Sequence, residues 1–381
     1  MSASKDPKAT SLATRLAFFA AGFAVACWAP LVPFAKARVG ADDRQLGFVL
    51  LCVGIGSLIA MPLTGWLSAR IGSKPMIVIG GFGVAVLLPV LPLAGTIQLL
   101  GATLLGFGAS LGTLDVAMNT HGVEVEKSAG KPLMSGFHAM FSVGGFAGAG
   151  GMTFVLSNGL SPSVSAMVGG ALTAVAIGVA WPRLIPARGT PISFALPHGS
   201  VMLLAMLTAI TFLVEGAVLD WGALLMVESR TVEASQGGLG YTLFSISMTG
   251  CRLAGDRVVA RIGNFRILFW GGAVTIAGFA VLLLVPVTWV ALSGFLLIGL
   301  GASNIVPVLF RLAGNQTVMP SALAVAAVTT TAYAGILAGP ALVGFISHAT
   351  SLRTAFWSLV VLMTFIPLFA RRVTRSSIQS G

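Results

Sequence analysis

The sequence predicts an all-α membrane protein of twelve transmembrane helices in two parallel six-helix bundles, and three observations predict it. Of 381 residues, 56% are hydrophobic and 9% are charged, with a mean hydropathy of +0.97; a soluble domain carries about a quarter charged residues. The apolar residues gather in runs of about 20, the helical length that crosses a hydrocarbon core roughly 30 Å thick. Short sequence islands also return after half the chain.

The elements follow in order. The first span, 12–35, follows a basic start and stops at Lys36; the second, 45–69, stops at Arg70; the third, 75–93, begins after Lys74. Gly95-Thr96 opens the fourth, 97–119, the charged stretch Glu124 to Lys131 precedes the fifth, 133–156, and Ser161-Pro162 starts the sixth, 163–181. Pro182, Pro186, Pro191 and Pro197 mark 182–199 as a polar linker between an N-terminal bundle, 1–181, and a C-terminal bundle, 200–381. The second bundle reads 200–226, 238–260, 266–285, 288–311, 320–345 and 352–371, with breaks at Glu228 to Arg230, Gly263, Pro286, Gln316 to Pro320 and Thr350-Ser351. Ala24-Val25-Ala26-Cys27 faintly resembles a secretory cleavage site, but eleven further spans favour a retained helix.

The net charge of +11 would suit nucleic acid if it were clustered in a soluble domain. Its distribution excludes that class. With the N-terminus inside, sixteen of the 22 Lys and Arg side chains fall on inner loops and tails, five (Lys36, Arg38, Arg44, Arg230 and Arg353) on outer loops, and Arg252 within a helix. The positive-inside rule then sets both termini in the cytoplasm of a multi-pass inner-membrane protein. Cys27, Cys52 and Cys251 sit in predicted helices without CxxC spacing, so they read as packing residues, not as a disulfide or metal site. No cofactor or catalytic constellation is expected: no Walker loop occurs, so this is not an enzyme driving transport with nucleotide.

The halves repeat. Ala69-Arg70-Ile71-Gly72 returns as Ala260-Arg261-Ile262-Gly263, and Gly144 and Gly148 return as Gly335 and Gly339, both at an offset of 191; Gly106 to Ser110 returns as Gly299 to Ser303 at 193. A shared offset of half the chain points to two parallel structural repeats. The paired glycines suit close helix approach and gate bending, as Gly339-Pro340 does.

These residues resemble the major facilitator superfamily. Gly65-Trp-Leu67-Ser-Ala69-Arg70-Ile-Gly72-Ser-Lys74 is similar to its loop between the second and third helices, Gly-x-Leu-x-Asp-Arg-x-Gly-Arg-Lys, with Ala69 where the family has Asp. The C-terminal copy, Arg252 to Gly263, keeps an acid in Asp256, which could pair with Arg252 one turn back. The resemblance thus implies a gating set of Gly65, Arg70, Gly72, Lys74, Arg252, Asp256, Arg257, Arg261 and Gly263, with cytoplasmic closure leaning on the C-terminal network. Snorkelling to the inner interface is the alternative for Arg252. Leu114 to Asn119, His138 to Gly144, Glu215 to Trp221 and Asn304 to Pro307 resemble a bacterial inner-membrane subgroup known as YbjJ-like and, more distantly, the fucose-permease group of proton:sugar symporters. In that sugar group the acid and Asn matched by Asp115 and Asn119 face the central cavity. Its further acid in the first helix has no counterpart here.

Asp115, Glu215 and Asp220 are the carboxylates inside apolar runs. Each costs roughly 2.5 to 3.5 kcal/mol near the bilayer centre. Asp115 and Asn119 lie about 40° apart on a helix, so one face presents both, to a cavity or to a polar helix contact. Asp115 precedes the inner loop, expected near His121, by a few residues. Glu215 falls in the outer half of its span, and Asp220, about 140° further around, shares its direction only if the helix breaks near Gly216 and Gly222. His138 reads as a helix contact or a cavity residue. Trp28 and Trp221 read as packing or interface anchors, or as stacking surfaces for a sugar-like solute. Asn304 completes the candidate substrate or proton-coupling set.

Removing a carboxyl from water favours its neutral form, so proton binding can be linked to solute binding. The leading expectation is alternating-access, proton-coupled symport of a small polar solute, such as a sugar or related metabolite, by a monomer in a lipid bilayer. Proton-driven efflux is second. A non-transporting membrane sensor is third, without a signalling domain in these residues to support it. With no buried cation expected other than Arg252, a neutral or cationic solute fits better than a strongly anionic one.

Overall fold

The computed structural model describes residues 6–130, 133–187, 196–230 and 232–375, the side chains of residues 135, 230, 256, 321 and 322 excepted. The middle of the expected linker, 188–195, and the side chain of Asp256 lie outside the described residues. The proposed pairing of Asp256 with Arg252 is therefore not described.

Every regular element among the described residues is helical: α1 Pro7–Trp28, α2 Val32–Val39, α3 Asp43–Ile71, α4 Ser73–Leu87, α5 Ile97–Ala129, α6 Met134–Ser157, α7 Pro162–Ala180, α8 Ser200–Arg230, α9 Leu239–Leu284, α10 Thr288–Ala302, α11 Ile305–Asn315, α12 Ser321–Ala349 and α13 Leu352–Arg375, with short 3-10 turns between some of them. Eleven stretches among the described residues are helical, long and apolar enough to cross a membrane. With no backbone partner available in lipid, the helix satisfies its own N–H and C=O groups, which is why apolar runs of this length fold this way.

Proline and asparagine chemistry divides two of the expected spans. The first is split by a 3-10 turn, Ala29–Leu31, at Pro30, before Pro33 lies in α2. The tenth is split at Asn304, whose φ of −109° and ψ of 0° separate α10 from α11. The expected eighth and ninth spans both lie in α9, whose 46 residues are broken at Gly263.

The chain forms two compact units. The first comprises Met1–Ala41, Val49–Ile192 and Ala234–Gly238. In it α1 packs along α6, because Gly144 and Gly148 leave room for backbone: a Cβ on either would lie 2.2 Å from the carbonyl oxygens of Phe19 and Phe23 respectively. The second comprises Asp42–Phe48, Ser193–Glu233 and Leu239–Gly381. There α8 packs along α12, and a Cβ on Gly335 would meet Ala209 O at 2.2 Å. The same residue pair position, 191 apart, thus serves the same kind of contact in both units. Asp42–Phe48 lies on the end of α12: the Ser347 hydroxyl donates to the Asp43 carboxylate, and Arg44 stands over the Phe345 ring at 5.5 Å.

Gly72 and Gly263, also 191 apart, adopt one backbone conformation. Their φ/ψ values are 90°/161° and 83°/159°. A side chain is strained at these angles, so glycine is required where each unit turns from one helix into the next.

Candidate functional site

In the second unit the candidate site grows from one proline. In a regular helix the N–H of residue 307 would bond the carbonyl of residue 303, but Pro307 has no N–H, so the Ser303 carbonyl is left free beside the break. Arg252 of α9 takes it, donating from Nε at 3.1 Å. The other arm of the guanidinium reaches Glu215 of α8, Nη2 to Oε2 at 3.5 Å, a long ion pair whose side chains are 32% and 18% exposed. Glu215 Oε1 is buried and has no hydrogen-bond partner among the described residues. Asn304 holds the break in place, its Nδ2 donating to Cys251 O at 3.3 Å and to Ser303 Oγ at 3.0 Å. Tyr241 of α9 bonds Ser245 and lies within electrostatic range of Glu215, Asp220 and Arg252.

Arg252 is therefore placed against Glu215. Asp220 is half-buried on the same helix, and α8 runs unbroken through Gly216 and Gly222, so the expected alternative of a broken seventh span is not what forms. Neither glycine adopts a positive φ, and helical hydrogen bonds here cost nothing to keep. Trp221 is fully buried and Trp28 is 2% exposed, each with an indole N–H lacking a partner among the described residues. Both rings are packed among protein atoms in this conformation.

In the first unit, Asn119 Nδ2 donates to the Asp115 carbonyl at 2.9 Å and to its carboxylate at 3.3 Å. This is the one-face pairing that the four-residue spacing allows. His138 is exposed, edge-on to Phe18 with centroids 5.1 Å apart. The inner loop expected near His121 starts later, because α5 continues to Ala129. His121 is consequently helical and fully buried. Its Nε2 accepts from Ile185 N at 3.0 Å, so that nitrogen carries no proton; Nδ1 then donates to Thr14 Oγ1 at 3.0 Å, and Thr14 passes its own proton to Thr10 O at 3.1 Å.

The chain after α7 is thereby strapped down. Ala187 O accepts from Ser73 N at 2.7 Å, and Pro186 rests against Gly72. Of the gating set, Gly72 is in this strap, Gly65 is buried, Lys74 is half-buried, Arg70 lies over the Trp66 ring at 3.9 Å, and Arg257, Arg261 and Gly263 are exposed. Losing the bond from Ile185 N, about 1 kcal/mol, His121→Ala should raise tryptic cleavage at Arg183 roughly fivefold in mild protease, with His138→Ala unchanged. Equal cleavage rates would show that the strap holds without His121. Sequence reasoning missed His121, Tyr241 and the Ser303 carbonyl; a proline four residues after Ser303 was the readable signal for the last.

Eleven apolar spans and buried polar clusters on helices define a multi-pass membrane protein, and the comparisons narrow the class. The Major Facilitator Superfamily model matches residues 15–319. The chain is 46% identical to an uncharacterized MFS-type transporter of Yersinia pestis over 367 residues, 96% of each chain. Among solved structures it superposes on a mutant of the nucleoside transporter NupG with a TM-score of 0.76 at 14% identity, over 96% of this chain and 99% of that one. On a D-xylose-proton symporter the TM-score is 0.74 at 15% identity, over 96% and 97%. This chain belongs to the major facilitator superfamily and is a transporter of that family.

Proposed function

We propose that the chain is a secondary active transporter that moves a small polar solute, a sugar or related metabolite, across the bacterial inner membrane by alternating access and proton symport. Twelve spans in two parallel six-helix bundles, 1–181 and 200–381 joined by 182–199, both termini cytoplasmic, are the architecture of this reading; the recurrence of Gly72 as Gly263 and of Gly144 as Gly335 supports it. The observation that carries it is the Glu215–Arg252 pair. A carboxylate with one oxygen on a cation and the other buried without a partner can take a proton at Oε1 with no hydrogen bond to break there. Losing the carboxylate charge loosens Arg252, and the Ser303 carbonyl that Arg252 holds and Asn304 mark a helix break through which that change would bend α10 against α11. Asp115 with Asn119 is the second candidate carrier, in the first unit. The gating residues Arg70, Lys74, Arg257 and Arg261 close the cytoplasmic loops in this reading. It functions as a monomer, with solute, protons and lipid as its partners.

Proteoliposome uptake across a metabolite panel under an imposed pH gradient tests it. Wild-type protein should accumulate solute with an inward proton gradient. Glu215→Gln should lose accumulation by about two orders of magnitude while retaining exchange, the scale at which a proton-coupled group contributes; Asp115→Asn should fall less. Full accumulation in both variants rejects the coupling, and outward pumping with the same gradient would favour efflux.

A further inference from the structure

Resting on this reading, we infer that Glu215 occupies the place of a substrate carboxylate, so that the solute is a small carboxylate, bound by Arg252 when a proton neutralises Glu215. The expectation of a neutral or cationic solute rested on there being no buried cation other than Arg252, with snorkelling to the interface as the alternative for that residue. The placement of Arg252 weakens that ground: its guanidinium lies inside the second unit, a third exposed, held by a carbonyl on one edge and a carboxylate on the other. A guanidinium presents a fork of donors that suits a carboxylate in two-point contact. The contact to Glu215 is a single atom pair at 3.5 Å, so the existing anion does not use that fork. It compensates the charge and leaves the geometry open to a better-placed ligand.

Charge balance carries the coupling. Protonating Glu215 leaves Arg252 with a neutral carbonyl oxygen as its remaining hydrogen-bond partner among the described residues, and an uncompensated charge in a protein interior is costly. A second anion relieves that cost. A proton and a monoanion therefore enter together, the proton on Glu215 and the anion on Arg252, with no change in net charge; neither enters favourably alone. The charged group acting on Glu215 is Arg252. Asp220 of the same helix and Tyr241 of α9 complete the electrostatic neighbourhood. Elsewhere on the elements packed against α8, the titratable and charged side chains are Cys251, Asp256, Arg257, Arg261 and Arg266 on α9, Arg311 on α11, Tyr333 and His348 on α12, and arginines at the two ends of α13.

The test uses acetate as the carboxylate, acetamide as its neutral counterpart and sodium chloride as the ionic-strength control, with thermal unfolding of the detergent-purified full chain as readout. In Glu215→Ala, saturating acetate should raise the midpoint by roughly 5 °C, the shift that a ligand far above its dissociation constant gives a chain of this size. Acetamide and chloride should not, and Glu215→Ala with Arg252→Ala should lose the acetate effect. Wild-type protein should gain acetate stabilisation as pH falls from 8 to 6. Glu215→Gln carries the same comparison if the alanine variant does not fold. Stabilisation by acetate that survives removal of Arg252, that acetamide reproduces, or that is absent from both Glu215 variants overturns the inference. In that event gradient-driven uptake still requiring Glu215 would leave proton coupling standing. Conversely, acetate binding at Arg252 with uptake indifferent to Glu215→Gln would remove the coupling and keep the anion site.

Discussion

Arg252→Leu should lower the unfolding free energy of the detergent-purified protein by about 2 kcal/mol, and Glu215→Gln in the same chain should recover most of that loss. Breaking a buried pair costs about 3 to 5 kcal/mol because one charge remains without its partner. The side chains here are 32% and 18% exposed, so water screens part of the penalty, which brings the expectation toward about 2 kcal/mol. The recovery is the diagnostic part. A cavity left by the long arginine stem would persist in the double variant, whereas a stranded carboxylate would not. Denaturant or thermal unfolding of wild type, both single variants and the double variant closes the cycle. Additive losses would mean that Glu215 and Arg252 do not interact energetically.

Gly144→Val should abolish accumulation of folded protein, with Gly151→Val on the same helix close to wild type. The first β-carbon alone would sit 2.2 Å from the Phe19 carbonyl oxygen and 2.9 Å from Phe23 N, both backbone atoms. No rotamer change clears a backbone, so α1 and α6 must separate along their length. Forcing even one extra methylene into a tight core costs about 1 to 3 kcal/mol, and valine adds three carbons. Nothing lies within 4 Å of a Cβ at Gly151, and that position is exposed. The monodisperse peak after solubilisation reports the contrast. A Gly144→Val peak equal to wild type would show that the α1–α6 contact is looser than its geometry.

The helical class was legible because bilayer length and hydropathy act on every residue of a span, so small errors average out. The repeat was legible because identical glycines recur at one offset. Helix ends and breaks were less so: α5 continues past His121 to Ala129, and Asn304 interrupts what hydropathy reads as one span. Both departures depend on polar side chains finding tertiary partners, Ile185 N for His121 and Cys251 O for Asn304, which no local pattern contains. Among candidate residues, the Asp115–Asn119 pairing followed from helical spacing alone. The Glu215–Arg252 contact joins residues 37 apart on different helices, and sequence offered Asp256 as the nearer partner. Proximity in the chain suggested Asp256, whose side chain lies outside the described residues, whereas packing brings Glu215 to Arg252.

Gly263 has one further consequence, for how the protein tolerates genetic change. At Gly81 a β-carbon would meet the side chain of Ile177 at 2.6 Å, so a variant there has a route to suppression through a smaller residue at 177. Gly263 has no neighbour within 4 Å, and its demand comes from its own φ of 83°. No second-site change can relieve a constraint that no second residue imposes. Gly72 adds the nearby backbone of Pro186 to the same demand. After two halves diverge from a common repeat, compensating pairs of substitutions can rewrite almost any contact between side chains. Positions of this kind stay outside that exchange, and they are where the likeness of the halves stays readable.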